Sequence, residues 1–167
     1  MQIKSTLKNH LGELFDYTYC EDCNPNDDLD GKVLSAVHAY SFYKGKFVVV
    51  YADDKKYWTP PGGGIEAGET YEEAVIREVK EESNMKVLHQ ELIGYIDIHE
   101  GNRIIRHTRS FCIVEPYGDF ISDPDGDITK IELINPADCK QYFDWGKIGD
   151  HIMERALAME KEYYILH

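Results

Sequence analysis

Alternating and continuous apolar runs divide much of the chain into predicted strands. Val33–Tyr43 is rich in β-forming residues and partly alternates, and Phe47–Tyr51 is a short apolar run. The polar turn Lys44–Lys46 separates them, so the two segments predict a β-hairpin. Later strands are expected from Lys86–Gln90, continuing as a longer strand over Leu92–His99, and at Arg103–Glu115 and Asp127–Ile134.

Two segments predict helices instead. Thr70 followed by Glu73 is the capping-box signature of a helix start, and neither glycine nor proline interrupts Tyr71–Ser83. Asn84 is expected to end this helix, because asparagine tolerates the left-handed conformation that follows a helix C-terminus. Apolar residues recur at helical spacing over Ile148–Tyr164, which predicts a C-terminal helix.

The first residues have a weaker pattern. We expect residues 1–19 to form a short helix or an irregular arm, followed by a polar loop over Glu21–Gly31. The anchors of this arm would be Leu11, Leu14, Phe15 and Tyr17.

The order of these elements predicts an α/β fold, with a mixed β-sheet between helical layers. A chain of 167 residues has the size of a single domain with one proper core. We therefore divide it into an N-terminal arm, residues 1–32, and an α/β domain, residues 33–167.

Placed at 100° per residue, the predicted helix has an apolar face and an acidic face. Glu78 and Glu82 are four residues apart, and like charges at that spacing cost a helix about 0.2–0.5 kcal/mol. A divalent cation such as Mg²⁺ would convert this repulsion into binding, because it prefers oxygen ligands. The alternative is a solvated acidic surface, which is common on glutamate-rich helices. The expected buried stripe is Val75, Ile76 and Val79, and the acidic face is Glu78, Glu81 and Glu82, with Ala74 among them.

A glycine-rich loop, Pro61–Gly68, precedes this helix at a distinctive spacing. Five residues separate Gly63 from Glu69, and seven more separate Glu69 from the run REVKEE at residues 77–82. This pattern resembles the signature box of the Nudix (MutT-like) hydrolases, G-x5-E-x7-R-E-U-x-E-E-x-G-U, in which U is aliphatic. Every specified position matches except one, because Asn84 stands where the family has glycine; Met85 fills the last apolar position.

The resemblance implies a Nudix-type α/β/α sandwich and a pyrophosphohydrolase. The implied reaction is attack of water on phosphorus in a nucleoside diphosphate linked to another moiety, giving a nucleotide monophosphate and a phosphorylated product. Mg²⁺ is the implied cofactor, with Mn²⁺ as an alternative, because a cation must stand between an anionic substrate and an anionic site. The other hypothesis is a nucleotide-binding or regulatory module of the same fold that does not hydrolyse.

The same resemblance assigns the metal ligands. They are the carboxylates of Glu78, Glu81 and Glu82 and the backbone carbonyl of Gly62. Glu81 would either hold a further ion or orient the attacking water.

Arg77 is expected to pair with Glu69 across the loop and to hold the box rigid. The alternative is a surface pair with Glu73 at i, i−4 spacing, which would contribute little to stability.

The general base is expected after the second hairpin, where the family often places an acid. Asp127 occupies the matching position, and Asp123 and Asp125 compete with it in the same loop. All three also suit turns, because aspartate readily bonds to nearby backbone groups. If Glu81 acts on the attacking water instead, no distal acid is needed.

Substrate recognition is poorly encoded in the sequence. Arg103, Arg106, His107 and Arg109 form a basic cluster in an otherwise acidic chain. They could bind a phosphate or a carboxylate, or they could be outward-facing charges that protect a strand. Trp58, just before the glycine loop, could pack in the core or stack on a base.

The net charge of −13 argues against a non-specific nucleic-acid binder, which would need a basic face. No apolar run reaches the length of a membrane span, and the N-terminus lacks a secretory signal. A cytoplasmic location is therefore expected. Family members are often homodimers, although no feature here identifies an interface. The cysteines Cys20, Cys23, Cys112 and Cys139 are expected to be incidental free thiols.

Overall fold

The predicted strands assemble into one mixed sheet, which is extended by strands at the N-terminus. The computed structural model describes residues 1–167. The strands are β1 Gln2–Lys8, β2 Leu14–Glu21, β3 Lys32–Tyr43, β4 Lys46–Ala52, β5 Tyr57–Thr59, β6 Gly62–Gly64, β7 Met85–Glu100, β8 Arg103–Pro116 and β9 Ile128–Ile134; the helices are α1 Tyr71–Ser83, a 3₁₀ helix Pro136–Gln141 and α2 Gly146–Leu166.

The sheet has the order β1-β2-β7-β8-β3-β4-β5, with β6 paired to β3 and β9 paired to β4. The β3–β8 pairing is parallel, whereas the other pairings are antiparallel. One helix packs on each face, which confirms the predicted α/β/α arrangement with a mixed sheet.

The expectation of a helix or irregular arm over residues 1–19 is wrong. This segment forms the antiparallel hairpin β1–β2, and β2 pairs with β7 so that the hairpin extends the main sheet. Exposure alternates strictly along β1, with Ile3 and Leu7 on the protected side. A period of two suits a strand, and the edge of β7 supplies hydrogen bonds to β2, which in turn pairs with β1.

Only two of the four expected anchors of the N-terminal segment pack inward. Phe15 and Tyr17 contact the core beneath α2, whereas Leu11 and Leu14 are 70% and 64% exposed. The difference arises because alternate residues of β2 face opposite sides, and Leu11 lies in the turn before it.

Two cysteines differ from the prediction of free thiols. Cys20 and Cys23 are joined by a disulfide, with their Cα atoms 5.7 Å apart. The end of β2 and the following turn bring the two side chains together. Cys112 and Cys139 are free, as predicted, and both are buried.

Each face of the sheet has its own core. Val37 and Val48 pack against Val75 and Val79 of α1, and the side chains of alternate residues on the opposite face pack against α2. Neither α-helix offers an apolar stretch of membrane-spanning length.

The buried stripe of α1 is rotated from the predicted one. Val75 and Val79 are fully buried as expected, but Ile76 is 49% exposed and Ala74 is fully buried in its place. The glycine loop covers part of the acidic face, because Gly62 bonds to Glu82 and Gly63 lies against Glu78.

Candidate active site

Local sequence signals set the ends of α1. Thr70 Oγ1 accepts a hydrogen bond from the Glu73 N–H at 3.1 Å, which confirms the predicted cap. Asn84 adopts the left-handed conformation, with φ of 53°, and its N–H donates to the Lys80 carbonyl. The Asn84 side chain also donates to the carbonyl of Asp119. Asparagine therefore serves the conformational role for which the family signature specifies glycine.

Arg77 joins the glycine loop to this helix. Its Nε and Nη2 donate to the two carboxylate oxygens of Glu69 at 2.7 and 2.9 Å, which is a bidentate charged pair. Nη2 also donates to the carbonyl of Gly64 at 2.8 Å. These contacts lower the pKa of Glu69. The pairing expected across the loop is present, and no ion pair joins Arg77 to Glu73.

The remaining nitrogen of Arg77 bridges two acids of the helix. Nη1 donates to Glu78 Oε1 at 2.8 Å and to Glu81 Oε2 at 3.3 Å. In this arrangement one guanidinium holds together carboxylates that would otherwise repel each other.

Glu82 is a buried carboxylate without a cationic partner. Its exposed fraction is 8%, and its Oε1 accepts a hydrogen bond from the Gly62 N–H at 2.7 Å. Burial raises the pKa of Glu82 to about 8, and the charges of Glu78 and Asp123 act in the same direction against the Gly62 bond. A site of this kind favours the binding of a cation or a proton.

Glu78 lies directly against the glycine loop. Burial raises its pKa, although the contact with Arg77 opposes this shift. A Cβ atom added to Gly63 would lie 2.5 Å from Glu78 Oε1. Glycine is needed at position 63 because any side chain would displace the carboxylate.

The aspartates of the loop before β9 have different surroundings. Asp123 is buried and accepts hydrogen bonds from the backbone N–H groups of Asp125 and Ile128, so it has a turn-forming role. Asp125 is exposed, and its charge adds to the effect of burial in raising the pKa of Glu78. Asp127 is exposed, and its backbone carbonyl accepts from the Asp53 N–H. Its proposed role as general base stays a prediction.

The residues expected to hold a metal ion are close together but point to different partners. No group of three acidic, histidine or cysteine side chains converges closely enough to hold a metal ion as arranged. The reason is visible in the contacts, since Arg77 occupies Glu78 and Glu81 while Glu82 bonds to Gly62. Chemically the donor set fits Mg²⁺, because it consists of oxygen atoms and includes a buried, uncompensated carboxylate.

The basic cluster does not act as one unit. Arg103 is exposed and pairs with Glu100 at 2.8 Å. Arg106 is fully buried and donates to both oxygens of Asp97 and to backbone carbonyls of the loop after β2, including Pro25. Arg106 therefore fixes that loop to the sheet, which is a structural role.

His107 and Arg109 lie on the opposite face of the sheet from α1. They line a cleft together with His38, which is paired with Arg109 across β3 and β8. Burial lowers the pKa of His107 to about 3, and the charge of Arg109 adds to the shift. Both rings are neutral at physiological pH, because burial also holds the pKa of His38 well below its ordinary value.

The comparisons with known proteins agree with this geometry. The family model described as the NUDIX domain matches residues 33–156. The chain belongs to the Nudix family.

Individual relatives of this Nudix protein are more distant. An uncharacterized Nudix hydrolase of Bacillus subtilis, YvcI, is 30% identical over 71 residues, which are 41% of this chain and 45% of that protein. The chain spans less than half the length of the curated relatives that it matches.

Solved Nudix structures share the fold. The Bacillus subtilis pyrophosphohydrolase BsRppH superimposes with a TM-score of 0.71 at 19% identity, covering 93% of this chain and 97% of that chain. A MutT protein from Bacillus halodurans gives a TM-score of 0.57 at 21% identity, covering 72% of this chain and 80% of that chain.

Two residues near the acids of α1, Lys55 and His38, were not among the predicted site residues. Lys55 lines the cleft. Its charge opposes the raised pKa of Glu82 and adds to the effect of burial in lowering the pKa values of His38 and His107. A Cβ atom on Gly62 would lie 2.7 Å from the His38 ring, which places His38 beside the loop. The adjacent lysines in the turn before β5 were the available sequence signal, whereas nothing in the sequence distinguished His38.

Proposed function

We propose that this protein is a Mg²⁺-dependent pyrophosphohydrolase. Its substrate is a nucleoside diphosphate linked to another moiety, and water attacks phosphorus in the phosphoanhydride. The products are a nucleotide monophosphate and the phosphorylated remainder. Support comes from the family match over residues 33–156 and from fold neighbours named as a pyrophosphohydrolase and a UDP-X diphosphatase.

The observation that carries the proposal is the buried carboxyl group of Glu82, which has no cationic side chain bound to it. A buried carboxylate whose only bond is to a backbone N–H is costly, unless it serves to bind something positive. Glu78 lies one helical turn away and is also buried. Two such groups beside a glycine loop fit a cation that binds a diphosphate.

The proposed ligands are the side chains of Glu78, Glu81 and Glu82 and the carbonyl of Gly62. Bound Mg²⁺ would supply charge neutralisation and polarisation of phosphate oxygens. Nη1 of Arg77 would have to release Glu78 and Glu81 for Mg²⁺ to bind them. The other two nitrogens, Nε and Nη2, can keep their bonds to Glu69 and to the Gly64 carbonyl. Arg77 and Glu69 would thus keep the loop in place throughout the reaction.

The attacking water must lose a proton, and three acids are candidates to accept it. Asp127 is the acid proposed from the sequence, the charge of Asp125 acts on Glu78, and Glu81 has an exposed side-chain fraction of 27%. Substituting each acid separately with asparagine or glutamine would identify the base, because only its loss would alter the pH profile of turnover.

The competing function is nucleotide binding without hydrolysis. It predicts that Mg²⁺ and nucleotides bind without release of a monophosphate or phosphate. The intact run REVKEE favours hydrolysis, because a binding module would have no need of every acid.

The test is a panel of nucleotide sugars, ADP-ribose, dinucleoside polyphosphates, coenzymes and nucleoside triphosphates, assayed for monophosphate or phosphate release with Mg²⁺. We expect Glu78→Gln and Glu82→Gln to reduce turnover by at least about a hundredfold while the fold is retained. Glu72→Gln is the matched control, since Glu72 is an exposed acid in the first turn of the same helix. Full activity of both active-site variants would refute the site assignment.

A further inference from the structure

A large cleft lies on the face of the sheet opposite α1. Its volume is about 590 Å³, which is within the range of small-molecule sites. Its walls include the aromatic side chains of Phe15, Tyr17, Trp58, Phe143 and Trp145. Flat apolar groups pack well against such walls.

The N-terminal hairpin forms one side of this cleft. Ser5 and Leu7 of β1 and Phe15 and Tyr17 of β2 all line it. The segment that precedes the family match therefore encloses a cavity, and this gives the first 21 residues a role in shaping a binding site.

Arg109 lies in the cleft with no anionic partner. Its exposed fraction is 5%, Nη1 donates only to the Thr108 carbonyl, and Nε is buried without any hydrogen-bond partner. The guanidinium also lies 4.9 Å from the ring of Trp145. Burial lowers the pKa of Arg109 without any carboxylate opposing it.

The contrast with Arg106 shows why this is unusual. Arg106 is also buried, but Asp97 and several carbonyls satisfy it. Glu100 and Asp144 line the cleft, yet neither forms an ion pair with Arg109. A buried charge without a counter-ion is costly, so an anion entering the cleft would supply the counter-charge that the protein does not.

The cleft adjoins the acidic site. His38 borders both, because it lines the cleft and lies beside Gly62, whose N–H bonds to Glu82. Lys55 lines the cleft as well, and its charge acts on Glu82. One extended molecule could therefore reach from the acids of α1 into the cleft.

We propose that the cleft binds the part of the substrate remote from the attacked phosphorus, and that Arg109 binds a phosphate or carboxylate carried there. This rests on the proposed function for the position of the diphosphate. The aromatic walls hold the flat or apolar body of that part, and the planar guanidinium matches the oxygens of either anion. Arg109 is thus a specificity-determining residue.

The test uses pairs of compounds that differ by one remote anion. They are NADP⁺ with NAD⁺, coenzyme A with dephospho-coenzyme A, and UDP-glucuronate with UDP-glucose. The first two pairs differ by a phosphate and the third by a carboxylate, so they distinguish the two anions. The chain has two tryptophans, Trp58 and Trp145, and both line the cleft, so their fluorescence reports binding.

Titrations in EDTA keep turnover out of the measurement. Both members of each pair carry the same diphosphate, so its repulsion by the acidic site cancels within the pair. We expect the anionic member of at least one pair to bind about tenfold more tightly, as one charged hydrogen-bonded contact would provide. Arg109→Gln should reduce that ratio to near one. Arg103→Gln, an exposed arginine on the same strand, should leave the ratio unchanged.

Arg109→Lys provides a second variant that retains the charge but loses the planar fork, and an intermediate ratio is expected. Equal binding within all three pairs, or a ratio that survives Arg109→Gln in folded protein, would overturn the proposal. Discrimination without hydrolysis of any panel compound would overturn the proposed function alone. Hydrolysis without discrimination would overturn only the assignment of the cleft.

Discussion

Replacing Arg77 with alanine should loosen the loop that positions the acids of α1. The change removes the bidentate pair with Glu69 and the bond to the Gly64 carbonyl. It also leaves Glu78 and Glu81 facing each other without the bridging nitrogen.

The magnitude follows from these contacts. Three well-formed bonds from a charged donor would contribute about 1.5–3 kcal/mol each if buried, but the side chain of Arg77 is 20% exposed and water weakens them. About 1 kcal/mol for each bond gives a loss of roughly 3 kcal/mol in the free energy of unfolding. For a chain of this size, that corresponds to a fall in Tm of about 6–12 °C.

Thermal or urea unfolding without divalent metal would measure this loss, with Arg77→Lys as the comparison that keeps the charge but not the fork. We expect Arg77→Lys to recover less than half of the loss, because lysine cannot form the bidentate pair. An unchanged Tm for Arg77→Ala would refute the reasoning, since the loop would then not depend on Arg77.

Two further predictions concern the glycine loop and the cleft. Gly63→Ala should lower turnover at least about tenfold, because the new Cβ would displace the Glu78 carboxylate. Circular dichroism should show that α1 is intact. Unchanged turnover would show that activity does not depend on Glu78 lying against Gly63. His107 should make stability fall as pH decreases below about 6.5, because the unfolded chain gains a proton that the folded chain does not bind until about pH 3. At pH 5.5 the contribution of His107 to the loss in free energy of unfolding is about 1.4 kcal/mol. Urea unfolding at pH 7.5 and 5.5 should therefore show a smaller loss for His107→Gln than for the wild-type protein. An equal loss would contradict the burial of a neutral ring.

Some features were predictable because neighbouring residues set them. The cap at Thr70, the left-handed Asn84 and the helix between them depend on local propensity and hydrogen bonding, and the structure has all three. The spacing of the loop and helix also fixed which acids lie near one another. The rotation that buries Ala74 and exposes Ile76 was not predictable, since it depends on where the loop packs.

The sequence by itself determined the family, the helix and the set of acids, because these are encoded in short-range spacing. Only the tertiary structure showed that Arg106 and Arg109, three residues apart on one strand, have different surroundings. Arg106 pairs with Asp97, whereas Arg109 lines the cleft. The N-terminal hairpin likewise depends on the distant edge of β7. Long-range pairing decides which charges are satisfied, and a linear pattern carries no record of those partners.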